Sequence, residues 1–217
     1  VAIVAALATL GFGPTFTPAR AAVTDKLPDL AVLAPFGFRI EMSPEGRRLL
    51  RFSTVIVNKG SGPLQLFGFD PDGVTSKDDI LQVRQQILQS DGTFRTRTTT
   101  ATMRWAADGH SHFHIQDAQR IELQNSHAVA IERWAKTGFC FLDSYQWKST
   151  KPSRYDNAHF VCNVSPNRTV PMGISVRWGD IYRSTIALQW IDITGLPSGD
   201  YRLMLSADPP PQTLGRF

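Results

Sequence analysis

The sequence is poor in cysteine, in clustered basic residues and in helical patterns. Only two cysteines occur in 217 residues, and the formal net charge is a modest +4. Because this charge is scattered and no nucleic-acid-binding motif is present, nothing indicates a nucleic-acid partner. There is no internal repeat, no low-complexity stretch and no long amphipathic helix, while the hydrophobic content of 42% is ordinary for a globular protein. The length therefore predicts one domain with a sizeable core.

Residues 1–21 form an apolar segment that contains no acidic residue. Ala19-Arg20-Ala21 fits a small-x-small cleavage site, so the segment is similar to the apolar core and end of a secretory signal. It has no charged, Met-led start, and we therefore expect an N-terminally incomplete signal and an exported mature protein. A membrane anchor is the alternative, but glycines and prolines interrupt the run before it reaches the ~20 apolar residues that a membrane span needs.

The two cysteines are Cys140 and Cys162. In an exported protein, a single disulfide between them is the natural expectation. Two buried free thiols are the alternative.

The residues that follow the apolar segment predict an all-β fold. Residues 50–57 are rich in β-branched and aromatic side chains, and the arms at 83–89 and 93–103 flank Asp91-Gly92, a strong hairpin signal. Residues 144–171 lack periodicity and are expected to form a long loop. Short strands with turns between them predict a single β-sandwich-like domain with long irregular loops. Further strands are predicted at 64–67, 120–123, 128–133, 174–178, 189–193 and 201–207.

Histidine is the residue that the sequence concentrates: three of its five histidines are His110, His112 and His114. Side chains of a β-strand alternate between two faces, so these three are expected to project from one face of a strand. Asp108-Gly109 predicts a turn just before the run. Asp117 is placed to orient an imidazole by accepting its free N–H. Three clustered imidazoles suit copper, zinc, iron or nickel, whereas the simpler alternative is an exposed strand face without a metal.

Seven segments together resemble the lysyl oxidase family, the copper-dependent amine oxidases with a lysine tyrosylquinone cofactor. They run in the family's order from about residue 27 onward. The combination is specific, because a lysine precedes Phe-Cys and a tyrosine stands seven residues before Gln-Trp. The segments are Leu27-Pro28-Asp29-Leu30, the strand at 50–57, His110 to His114, Lys136-Thr137-Gly138-Phe139-Cys140, Gly179-Asp180-Ile181-Tyr182, Gln189-Trp190-Ile191-Asp192-Ile193-Thr194 and Gly199-Asp200-Tyr201.

The resemblance implies that His110, His112 and His114 bind Cu(II). Copper beside a phenol would let dioxygen oxidise the ring to a quinone. In the family's chemistry, the quinone takes up a primary amine, and an aldehyde, ammonia and hydrogen peroxide are released. The implied substrates are therefore dioxygen and a primary amine, either a small molecule or a peptidyl lysine.

The resemblance also implies that the cofactor forms from Lys136 and Tyr182, and that Asp180 is the catalytic base. The Lys136 amine adds to the oxidised ring only when it is neutral. A lysine in water has a pKa near ~10.4. The site is therefore expected to bury Lys136 or to place it near the positive charge of the metal.

The sequence departs from the family in two respects. Animal members have more cysteines in this domain, and the family continues beyond residues 207–209 into an acidic segment and a last strand. The resemblance therefore implies a bacterial-type member whose lysyl oxidase-like domain, residues 22–217, is truncated at its C-terminus. Some members bind calcium between that segment and an N-terminal Pro-Asp-Leu. Asp29 supplies the N-terminal part alone, so calcium has little support.

Two rival functions remain open for the same histidines. One is a zinc- or iron-dependent β-fold enzyme. A cupin-like version of it has little support, because a cupin carries a glutamate about four residues after its His-x-His, whereas position 118 is alanine. The other is a secreted copper-binding or adhesion module that keeps the fold and forms no quinone.

Overall fold

The structure is a computed structural model that describes residues 22–73, 76–106, 109–133, 136, 138–156 and 161–207. The signal-like segment 1–21 and the chain beyond residue 207 lie outside these residues. The described part consists of strands, turns and irregular segments, which confirms the all-β prediction. It contains no helix that is long and apolar enough to span a membrane.

Sixteen strands are present in the described part. They are β1 (Asp25–Lys26), β2 (Leu30–Val32), β3 (Phe36–Met42), β4 (Arg48–Asn58), β5 (Leu64–Phe69), β6 (Leu81–Gln89), β7 (Phe94–Trp105), β8 (Phe113–Gln116), β9 (Gln119–Gln124), β10 (Ala130–Arg133), β11 (Gly138–Phe139), β12 (Tyr145–Gln146), β13 (Val170–Ile174), β14 (Trp178–Tyr182), β15 (Trp190–Asp192) and β16 (Arg202–Ala207).

The strands form two large antiparallel sheets and one small sheet. The first large sheet has the order β11-β8-β7-β6-β5-β13, with β1 paired to β6. The second has the order β12-β14-β4-β15, with β2 and β3 also paired to β4, and the small sheet is β10-β9-β16. Side chains of both large sheets share one core, including Phe52 and Ile56 of β4 and Leu64 and Leu66 of β5. The predicted single, sandwich-like domain is thereby confirmed.

The strands that local sequence patterns predict are present. β4 is buried along most of its length because strands pair with both its edges, which explains its continuous apolar sequence. The β6–β7 hairpin turns at Asp91-Gly92, where Gly92 has φ 86° and the Asp91 carboxylate accepts the Thr93 N–H. The strands predicted near 64–67, 120–123, 128–133, 189–193 and 201–207 correspond to β5, β9, β10, β15 and β16.

The strand predicted at 174–178 is wrong. β13 ends at Ile174 and β14 begins at Trp178, so the residues between them form a turn. Arg177 has φ 67°, in the left-handed region, and the Ser175 N–H donates to the Asp143 carboxylate instead of a neighbouring strand. The short apolar run thus contains the reversal between two strands, which a count of apolar residues does not reveal.

The first three strands have no counterpart in the predictions, and the predicted loop at 144–171 is largely correct. That loop contains only β12 before β13 begins at Val170. In β3, four alternate apolar side chains are 46–60% exposed: Phe36, Phe38, Ile40 and Met42. A regular apolar alternation normally indicates a buried face, so exposure here hides the strand from pattern analysis.

The predicted disulfide between Cys140 and Cys162 is present. Cys140 follows β11, whereas Cys162 lies in the loop before β13. The Cys162 carbonyl accepts the N–H of Phe113, the first residue of β8, at 2.8 Å, and the Cys162 N–H donates to the Pro171 carbonyl at 2.7 Å. The disulfide therefore joins the segment after β11 to the start of the histidine strand.

Replacing Cys140 and Cys162 together by alanine should lower the free energy of unfolding by about 3 kcal/mol, because the cross-link restricts the unfolded chain. Urea unfolding at neutral pH measures this difference. The denatured, unreduced wild-type protein should also show no reactive thiol. An unchanged free energy of unfolding, or two titratable thiols, would contradict the structural role of the disulfide.

Candidate active site

The three histidines of the run converge. One ligand nitrogen from each of His110, His112 and His114 lies within 4.8 Å of the others. The Nε2 atoms of His112 and His114 are 2.9 Å apart, and the His110 ring stacks on the His112 ring with 5.4 Å between centroids. His114 is buried, while the other two are half-buried. The predicted cluster is therefore present, with one side open to solvent.

The route by which the histidines converge differs from the prediction. β8 begins only at Phe113, so His110 and His112 precede the strand and His114 alone belongs to it. The expectation that all three project from one strand face is wrong for His110 and His112. The chain before Phe113 is irregular. Of the two residues predicted to support the run, Asp108 lies outside the described residues, and Asp117 is exposed at φ 55° after β8.

The His114 ring packs against a glycine of the neighbouring strand. A Cβ atom built on Gly138 of β11 would lie 2.8 Å from His114 Nδ1 and 2.9 Å from its Cβ. Real Cβ atoms do not approach other atoms this closely, so any side chain at position 138 would displace the imidazole. The glycine two residues after Lys136 thus has a steric role that sequence reasoning did not assign.

The structure brings Lys136 and Tyr182 together across 46 positions of sequence. The Lys136 Nζ lies 5.7 Å from the centroid of the Tyr182 ring and 5.8 Å from that of Phe139. Lys136 is 4% exposed and Tyr182 is 6% exposed. The expectation that the site buries Lys136 is met. An amine and a phenol ring in one enclosed space are placed for a bond between them after the ring is oxidised.

Tyr182 is held by its hydroxyl and by its ring. The hydroxyl donates to the Cys140 carbonyl at 3.2 Å, and the Phe139 ring meets the Tyr182 ring edge-on with 5.1 Å between centroids. Burial raises the pKa of the Tyr182 phenol well above its ordinary value, and the nearby Asp180 carboxylate raises it further. In this state of the site, the phenol keeps its proton at neutral pH.

Asp180 lies two residues before Tyr182 on β14 and is 2% exposed. Burial raises its pKa to about 7, although hydrogen bonding from Ser144 and Tyr182 opposes part of that effect. Its Oδ1 accepts the Ser144 hydroxyl at 2.5 Å. Its Oδ2 makes no hydrogen bond of normal geometry among the described residues. A carboxyl group with this pKa exchanges protons readily near neutral pH.

Two adjacent residues that sequence reasoning missed support Asp180. Ser144 donates to Asp180, and the Asp143 carboxylate accepts four hydrogen bonds, from the backbone N–H groups of Arg154, Tyr155 and Ser175 and from the Ser175 hydroxyl. An Asp-Ser pair is a common loop sequence, so it carries no signal by itself. Its position four residues after Cys140, which the structure links to Tyr182, reveals its role.

The residues present fit a copper ion and a cofactor made from side chains. Metal–imidazole bonds of about 2.0–2.1 Å place neighbouring ligand nitrogens about 3 Å apart, and His112 and His114 already show 2.9 Å. Three neutral imidazoles with an open side leave room for water or dioxygen. The Lys136 segment touches the metal cluster through Gly138, so both parts belong to one site.

Comparison with known proteins supports this arrangement. The family model described as Lysyl oxidase matches residues 70–214, about two thirds of the chain. The chain is 29% identical to lysyl oxidase homolog 2 of Gallus gallus, 28% to lysyl oxidase homolog 2B of Danio rerio and 27% to lysyl oxidase homolog 2 of Homo sapiens. Each alignment covers 164 residues, 75% of this chain and 16% of the relative. The chain therefore spans about a sixth of the length of these curated relatives.

Replacing Gly138 by alanine should weaken copper binding, because the added methyl group displaces His114. Changes to groups that orient a metal ligand weaken metal affinity by about 10-fold to 100-fold, and we expect a loss in this range. Competition with a copper chelator measures it. Gly199→Ala is the matched control, since the nearest atom to a Cβ there is 4.0 Å away. Equal affinity in both variants would contradict the steric role of Gly138.

The raised pKa of Asp180 should make the stability of the metal-free protein depend on pH. The carboxyl pKa is about 7 in the folded state and about 3.9 in an unfolded chain. The folded state therefore binds more protons between these values, and the stabilising effect, complete below about pH 4, is lost as the pH rises through 7. Urea unfolding at pH 5 and pH 8 should show a larger loss for the wild type than for Asp180→Asn. A loss of equal size in both would contradict the assignment, and the exposed Asp200→Asn serves as the control.

Proposed function

We propose that this chain, which belongs to the lysyl oxidase family, is a copper-dependent amine oxidase with a cofactor formed from Lys136 and Tyr182. The reaction converts a primary amine, dioxygen and water into an aldehyde, ammonia and hydrogen peroxide. The observation that carries the proposal is the enclosed approach of the Lys136 amine to the Tyr182 ring, beside three converging histidines. Family membership supports the general activity, and peptidyl lysine is the substrate that the names of the relatives favour.

His110, His112 and His114 would hold the copper ion. When bound, copper supplies the redox chemistry by which dioxygen oxidises the neighbouring phenol ring. The imidazoles serve as neutral nitrogen donors, and the half-buried positions of His110 and His112 leave this side accessible to small molecules. The buried His114 fixes the ion against the strand that leads to Lys136.

Lys136 and Tyr182 would form the lysine tyrosylquinone. Their burial keeps competing nucleophiles from water away from the oxidised ring and favours the neutral amine that must attack it. Holding two reactive groups in one enclosed space raises their effective concentration far above that in solution. The Cys140 carbonyl and the Phe139 ring keep the Tyr182 ring in place while Lys136 approaches.

Asp180 would act as the base. When the substrate amine is held on the cofactor, the C–H bond next to its nitrogen breaks. The electron pair enters the cofactor, and the proton goes to the Asp180 carboxylate. A pKa of about 7 suits this task, because the group is partly ionised at neutral pH and is still basic enough to accept a proton. Oδ2 is the oxygen without another hydrogen bond among the described residues.

The proposed location is outside the cell or in the periplasm. The disulfide supports this location, because disulfides persist in oxidising compartments. The two-cysteine composition supports a bacterial-type member of the family. The remaining candidates for the same fold are a secreted copper-binding module without catalysis and a zinc or iron enzyme that uses the same histidines.

Lys136→Arg and Tyr182→Phe should each abolish peroxide release from primary amines, because each removes one half of the cofactor. Both variants should still bind copper, since neither residue is a metal ligand. In the wild type, copper loading in air should produce a visible chromophore and a peptide pair joined through Lys136 and Tyr182. Peroxide assay, absorption spectroscopy and peptide mass spectrometry measure these outcomes.

Lys148→Arg and Tyr201→Phe are matched controls, because Lys148 is exposed and Tyr201 hydrogen-bonds within a surface turn. Both should keep full activity. Copper binding without chromophore, crosslink or peroxide would favour the non-catalytic module. Activity that depends on zinc or iron and survives Tyr182→Phe would favour the other enzyme.

A further inference from the structure

Ser144 connects the surface of the protein to the buried Asp180 carboxylate. The serine is exposed as a residue, yet its hydroxyl reaches inward and donates to Asp180 Oδ1 at 2.5 Å. The same oxygen accepts the Ile181 N–H at 2.8 Å. Because one lone pair of the hydroxyl is used by this N–H, its hydrogen is directed to the carboxylate.

We propose that Ser144 is a positioning residue: it holds Oδ1 of Asp180, so that Oδ2 is the oxygen that receives the proton from the substrate. The second part of this inference rests on the proposed function, whereas the first concerns the carboxyl group alone. A carboxylate that is free to rotate would present either oxygen. A carboxylate fixed through one oxygen presents the other in one direction.

Ser144 is itself held on both sides along the chain. The next two residues form β12, where Tyr145 pairs with Gly179 and Gln146 pairs with Trp178 of β14. The preceding residue is Asp143, whose carboxylate is fixed by four hydrogen bonds. The serine therefore approaches β14 from a rigid backbone, and its hydroxyl does not depend on a mobile loop.

Three titratable groups surround the Ser144–Asp180 contact. Tyr182 lies on the strand of Asp180 and opposes its pKa rise through hydrogen bonding, while the Asp143 carboxylate raises that pKa through its negative charge. Lys136 lies over the Tyr182 ring. None of these groups occupies Oδ1, where Ser144 is the hydrogen-bond donor.

Loss of the hydroxyl should raise the pKa of Asp180, because a hydrogen bond to the charged form stabilises that form. We expect Ser144→Ala to move the titration midpoint upward by about one pKa unit, which is about tenfold less carboxylate at a given pH below the midpoint. Ser144→Thr keeps the hydroxyl and should restore the wild-type midpoint. Ser144→Cys, which is nearly the same size and a weaker donor, should give an intermediate value.

The carboxyl titration is measured by carbon NMR on the full chain before copper loading, with Asp180→Asn identifying the resonance. Since Ser144 is exposed, the variants leave the core unchanged, and Ser144→Cys supplies the test if the alanine variant does not fold. Ser126→Ala in an exposed turn is the control and should titrate as wild type. After copper loading, the acid limb of the kcat profile should shift with the NMR midpoint, while KM for the amine stays within about twofold.

An unchanged Asp180 midpoint in both Ser144→Ala and Ser144→Cys would overturn the proposal. A raised midpoint that Ser144→Thr fails to restore would also overturn it, because the effect would then come from packing and not from the hydroxyl. A midpoint shift in a wild-type background that produces no peroxide would refute the oxidase while the hold of Ser144 on Asp180 stands. A kcat profile that does not follow the midpoint would refute the catalytic part.

Discussion

The candidate site depends on the covalent bond between Cys140 and Cys162. One short segment, Lys136 with residues 138–144, touches every part of the site, and the disulfide holds its middle. On the other side of the bond, the Cys162 carbonyl accepts the N–H of Phe113, between two of the histidines. The bond thus joins the segment that carries the amine to the segment that carries the imidazoles, and it does so where neither has much regular structure of its own.

Burial divides the site into two halves of different character. Lys136, Asp180 and Tyr182 are almost without solvent contact, whereas His110 and His112 are partly open. Charged forms are disfavoured in the closed half, so the pKa of the Asp180 carboxyl and that of the Tyr182 phenol both rise. Small molecules and water can therefore reach the metal side, while the organic side controls protons through a few fixed hydrogen bonds.

Local patterns predicted the parts of the fold that are local. The hairpin at Asp91-Gly92 and the central strand β4 follow from turn chemistry and from a continuous apolar run. The turn at Ser175 was missed because its hydrogen bonds go to Asp143, 32 residues earlier. Physics applied to the sequence found the histidine cluster, but only the family resemblance joined Lys136 to Tyr182, since no local pattern links residues so far apart.

Both disulfide cysteines lie between Lys136 and Tyr182 in the sequence, so the proposed crosslink would form a larger ring around the disulfide ring. The disulfide shortens the free chain between the two cofactor residues by roughly half, which lowers the entropy of closing that ring by only about 0.6 kcal/mol. The more important effect is on the order of maturation. The inner ring must be closed and folded before Tyr182 meets Lys136, and afterwards the outer ring keeps the two residues from separating. Assembly would then be a one-way process, in which the finished catalyst outlasts any local opening of the sheets around it.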